Sequence, residues 1–130
     1  MEAADYVSYE LAVKLKECGF DEPCIAQWAC EPDGKPILVG STAFVFSNAE
    51  LKGRDVTAPL LFHAQKWLRE KGIAVSVQAN EIQGELWYSA DIITTKGVNE
   101  LVDGGFDYMG YEAALSAGIA AALELIKEGE

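Results

Sequence analysis

A chain of 130 residues, 50% hydrophobic and 24% charged, is sized for one domain and carries enough apolar side chain to fill a core, which excludes a disordered segment. Ten Lys and Arg stand against 21 Asp and Glu, a net charge of −11 that repels nucleic-acid phosphate and anionic lipid alike. Direct nucleic-acid binding and membrane association are therefore not expected.

The start, Glu2-Ala3-Ala4-Asp5, lacks the basic head of a secretory signal, and Cys18, Cys24 and Cys30 are odd in number and loosely spaced. The expectation is a cytoplasmic protein with reduced thiols. With the single His63 the three cysteines add up to a Cys₃His set, but no C-x₂₋₄-C pair seeds one, so no metal and no cofactor are expected.

Ser8 precedes a stripe of Leu11, Leu15 and Cys18, which predicts a helix over 9–18 closed by Gly19 in the left-handed conformation, with Phe20 folded back on the last turn. Residues 24–31 alternate, with Cys24, Ala26, Trp28 and Cys30 on one face, and read as a strand. After the Pro32-Asp33-Gly34 turn, Pro36–Val39 and Ala43–Phe46 read as one interrupted strand or two short ones. Residues 47–57 have no period and read as a surface loop.

Thr57 is placed to cap a second helix with an early Pro59 and a stripe of Leu60, Leu61, Ala64, Trp67 and Leu68, ending at Gly72. Residues 73–79 and 86–92 alternate around Gln83-Gly84, which predicts a β-hairpin. Leu115, Gly118, Ile119, Ala122, Leu125 and Ile126 predict a last helix over 111–128, with Gly118 and Ala122 allowing a close approach to its support. The order α-β-β-α-β-β-α with short β–β turns implies an α+β class, a single compact domain of largely antiparallel sheet with helices packed on it. Its core is expected from Leu11, Leu15, Trp28, Leu61, Leu68, Val75, Val77, Tyr88, Ile119, Ala122 and Ile126.

No motif for catalysis stands out. Gly105 to Gly110 has the glycine spacing of a phosphate loop but is followed by Tyr111-Glu112 instead of Lys-Ser/Thr. His63, flanked by Pro59 and Trp67, reads as packing, and Asp91 falls on the Trp87 and Ser89 face, read as a solvated strand edge. Phe62 points away from the apolar stripe beside Lys66 and Arg69, a hydrophobic side chain on a cationic helix face and a candidate contact site. Acid gathers at both ends, with two basic against seven acidic residues over 1–31 and one against seven over 98–130, whereas 58–72 is locally basic.

Three stretches, YVSYELAVKLKECGF at 6–20, APLLFHAQKWLREKGI at 58–73 and YEAALSAGIAAALELI at 111–126, resemble small uncharacterised proteins of Bacteroides-type phages and prophages, akin to phage α-β-α sandwich domains. That resemblance implies a mobile-element accessory protein with an α/β fold and transfers no site residue. The functional expectation is a non-enzymatic protein–protein interaction module, with Phe62, Lys66 and Arg69 as its candidate surface and room for a homodimer. The alternatives are an acidic DNA mimic that blocks a nucleic-acid-binding protein, and a small hydrolase or ligand-binding enzyme using His63.

Overall fold

Turn and cap chemistry sets most of the boundaries in this computed structural model, which describes residues 2–40 and 44–129. Helix α1 (Tyr9–Glu17) starts where Ser8 Oγ accepts the Leu11 amide at 3.2 Å. It stops as expected: Gly19 takes φ +97°, its N–H donates to Lys16 O, and Phe20 N–H donates to Leu15 O at 2.9 Å. Phe20 is then fully buried.

The class is α+β, with three helices and two antiparallel three-stranded sheets in close to the expected order. The chain divides into two compact units, Met1–Leu60 and Leu61–Glu130. In the first, β1 (Ala26–Cys30) lies between β2 (Pro36–Gly40) and β3 (Val56–Thr57). Helix α1 covers the Trp28 face: the Trp28 indole N–H donates to Val7 O at 2.9 Å, and the Tyr9 ring meets it edge-on. Cys24 pairs with Phe46 beyond the end of β1. Of the expected second segment, Ala43 lies outside the described residues, and among the others only Phe46 pairs, through this isolated bridge.

Two expectations between 47 and 60 are corrected. Residues 47–57 are not a plain surface loop. Ser47 and Glu50 form a capping box around a 3₁₀ turn at Asn48–Glu50, and Asn48 is buried. Its side-chain amide donates to Phe20 O at 2.8 Å, and its oxygen accepts the Thr57 amide at 2.9 Å. Thr57 is consequently no helix cap. It is a buried strand residue, the Ala58 amide bonds Ala26 O, and Pro59 O accepts the Val7 amide, so the extended backbone postpones the helix to Leu61. Sheet pairing outcompetes local capping because it satisfies buried backbone groups on both strands.

In the second unit α2 (Leu61–Glu70) and α3 (Tyr111–Glu128) pack on one face of a sheet ordered β4 (Ile73–Ile82), β5 (Glu85–Thr94), β6 (Asn99–Leu101). Gln83 and Gly84 take φ +51° and +83°, a type I′ turn whose twist matches the strands. The unit buries Leu61, Ala64, Leu68, Val75, Ala90, Ile92, Leu115, Ile119, Ala122 and Leu123. Trp28, Val77, Tyr88 and Ile126, expected in the core, are only half-buried. For Tyr88 the reason is reach: it lies in the half of the ten-residue strand β5 that is nearer the turn.

Candidate interaction surface

The long hairpin carries its far end past the buried apolar layer, so side chains that alternation alone would assign to a core are left at the surface. Leu86 is 60% exposed, and Tyr88, two residues on, lies on the same strand face. Tyr88 also pairs through its backbone with Tyr108, the amide of each donating to the carbonyl of the other. Opposite residues of an antiparallel pair share a face, so the approach to α3 runs alongside the hairpin.

Around this pair the rings collect. Tyr88 meets Tyr111 at 5.7 Å between centroids, and Phe106 meets Tyr108 at 4.9 Å, both edge-on. Phe106 is 59% exposed and Met109 76% exposed. Tyr, Phe and Met are the residue types that anchor protein interfaces, because they present large apolar area with few rotatable bonds or with adaptable packing.

Carboxylates frame the cluster. The Tyr108 hydroxyl donates to Asp103, and this bond, with partial desolvation and the nearby charge, pushes the phenol up to about 12. Asp103 holds φ +51°, a conformation Asp tolerates better than most residues. Asp107 Oδ1 accepts the Asn80 amide at 2.8 Å, which ties this loop to β4. Glu81 and Glu85 flank the hairpin turn, and Glu112 opens α3. The basic groups of the unit lie elsewhere: Lys66 and Arg69 on α2, and Lys71, Lys96 and Lys127 of the last turn of α3 toward the opposite ends of the same strands.

Phe62, Lys66 and Arg69 are all exposed on α2, at a spacing that puts them on one helix face. They belong to α2, whereas the Tyr88 cluster is built from β5, the loop before α3 and the start of α3, so they form a second, smaller patch. His63 is half-buried beside Phe62. Asp91 is not on a solvated edge: β5 is the central strand, and Asp91 Oδ1 is shielded without a hydrogen-bond partner. Among the described residues no group of three or more His, Cys, Asp or Glu is placed to hold a metal ion.

Two hollows lie elsewhere on the surface. A groove of about 340 Å³ has Ile73, Val98, Leu125 and Ile126 as apolar walls and Lys71 and Lys96 at its rim. It sits at the C-terminal ends of α2 and α3, where carbonyl dipoles favour those lysines and oppose an added anion. In the first unit a polar cleft of about 470 Å³ exposes Cys30, whose thiol contacts the Tyr9 hydroxyl at 3.8 Å and Arg54 O at 3.6 Å. The thiol bond, followed by desolvation, raises the Tyr9 phenol.

The Tyr88 surface was not legible in the sequence because its members come from a strand, a loop and a helix start. The signal that was legible was composition, since Phe106, Tyr108, Met109 and Tyr111 crowd into six residues beside four acids between 100 and 112. Fold and surface together define an acidic α+β protein with an exposed aromatic cluster. Compared with known protein families, curated proteins and solved structures, the chain matches none.

Proposed function

We propose that this is a non-enzymatic interaction module of the cytoplasm, which holds an arginine- or lysine-bearing segment of a partner protein against the surface built on Tyr88 and Tyr108. The observation that carries the reading is the exposure of Leu86, Phe106, Met109 and Tyr111 around two paired tyrosines, inside a stretch with one basic and seven acidic residues. Aromatic faces attract cations through their quadrupole, and the surrounding carboxylates supply charge-assisted partners and long-range attraction. A DNA-mimic role is one case of the same chemistry, in which the basic partner is a nucleic-acid-binding protein. No helix among the described residues is long and apolar enough to cross a membrane.

The test is titration of the isotopically labelled protein with a short arginine-rich peptide, followed by amide chemical shifts. Shifts should cluster at 86–88 and 103–112, and Phe106→Ala with Met109→Ser should weaken binding by about tenfold or more, the loss of one interface anchor. Phe62→Ala should leave it unchanged. Shifts centred on α2, or binding indifferent to Phe106, would overturn the reading.

A further inference from the structure

The two sheets treat their free edges differently. At the β4 edge the Gln65 side chain donates to Val75 O at 2.8 Å, and Glu81 adds charge farther along; β6 is three residues long and carries Glu100. These are the devices by which edge strands avoid pairing with other chains. Among the described residues strand β2 has only the missing N–H of Pro36 at its start, and from Pro36 to Ala49 the sequence contains no charged residue.

The hydrogen-bond phase of β2 follows from its hairpin. Glu31 N–H donates to Lys35 O, which makes 29/37 and 27/39 the bonded pairs with β1. The backbone groups of Pro36, Leu38 and Gly40 therefore point to the open side, consistent with the Ala26 and Cys30 backbones being bonded on the β3 side. Ile37 and Val39 project on the face away from Trp28 and are 42% and 39% exposed.

We propose that β2 pairs antiparallel with β2 of a second copy about a two-fold axis at Leu38. In that register the two Leu38 residues exchange both N–H···O bonds, and each Gly40 amide reaches the Pro36 carbonyl opposite. Pro36, lacking an N–H, leaves its partner's Gly40 carbonyl the only group without a bond. Ile37 then stands directly opposite Val39 of the other copy, twice over by symmetry, at the close spacing of a non-bonded pair. The occupant is a second copy because the strand is complementary to itself in this register. The strip is also the uncharged part of a chain that otherwise carries −11, so two copies meet here with the least repulsion. The product is a continuous six-stranded sheet, and this pairing does not depend on the Tyr88 surface.

Sedimentation equilibrium of the full chain over a wide concentration range should show a monomer–dimer equilibrium. Val39→Lys should weaken it by about tenfold or more, since it removes both Ile–Val pairs and places lysine on the edge. Position 39 is partly exposed, so the far-UV circular dichroism of the variant should match the parent. In a Cys18→Ser, Cys30→Ser background, Leu38→Cys should form a disulfide-linked dimer on mild oxidation, because bonded antiparallel partners stand about 5.5 Å apart between Cα atoms. Lys35→Cys, beyond the paired segment, should not. A monomer at every concentration, dimerisation unaffected by Val39→Lys, or cross-linking at 35 in place of 38 would each overturn the proposal.

Discussion

Gly118 on α3 lies against Val75 on β4 with no room for a methyl group between them. A Cβ there would overlap Val75 Cγ1 and meet the Ala90 Cβ at 3.4 Å, so the glycine sets how closely the helix approaches the sheet. Gly118→Ala gains about 1 kcal/mol of helix propensity but overpacks a buried valine and alanine, costing about 1–3 kcal/mol. Urea unfolding should show a net loss of stability, and in a Val75→Ala background the same glycine substitution should become neutral or stabilising. Strict additivity of the two changes would mean this contact does not set the helix position.

Asn48 is the polar staple of the first unit. Truncation to Ala removes the bonds to the Phe20 carbonyl and the Thr57 amide together, and losing two buried hydrogen bonds costs about 2–4 kcal/mol. Asn48→Asp keeps the acceptor for Thr57 but places a carboxylate against a carbonyl, so it should be no more stable than the Ala variant in thermal melts.

The Tyr108 phenol, raised from 10.0 to about 12, binds its proton more tightly in the folded state than in the unfolded one. Its contribution to stability is therefore complete below pH 10 and is lost as pH rises through 12. Asp103→Asn removes the charge that disfavours phenolate. The ultraviolet tyrosine titration of that variant should gain ionisation near pH 10 relative to the parent. Superimposable curves would rule out the Asp103 bond as the cause.

Burial pushes the Cys24 thiol up from 9.0 to about 11, a rise the Thr57 hydroxyl beside it tempers. The same sign applies: the stability it contributes is whole below pH 9 and disappears as pH climbs through 11. At neutral pH a disulfide reagent should modify the partly exposed Cys18 and Cys30 first, and Cys24 only at the rate of unfolding. Rapid reaction of all three thiols would place Cys24 at the surface.

Leu68 has no exposed area on α2, as its place in the helical stripe implies. Leu68→Ala should cost about 2–5 kcal/mol by opening a cavity in a layer already filled. A melting temperature that barely moved would show that the layer collapses around the gap.

Local chemistry was enough to read the elements governed by near neighbours. The Ser8 cap, the Gly19–Phe20 stop, the Gln83-Gly84 turn and the span of α3 each depend on side chains within about five residues, so their signals survive in one dimension. Thr57 failed as a cap for the opposite reason: its strand pairs with β1, placing it across from Gln27, 30 residues earlier, while Asn48 takes its amide. Asp91 was misplaced because alternation marks a strand's faces but not whether the strand is central or at an edge.

By itself the sequence determined composition, charge and periodicity: a −11 chain, three helices, antiparallel hairpins and a core face for each. Those properties are sums or short-range patterns, and no distant residue can change them. Only the tertiary structure decided that the hairpin outruns the buried layer, which leaves the core candidate Tyr88 half-buried and Leu86 exposed. It alone brought Tyr88, Phe106, Tyr108 and Tyr111 together, because that meeting depends on β5, a loop and α3 arriving at one place. Adjacency across 23 residues of chain is a consequence of packing, and packing is settled by the whole set of buried contacts at once.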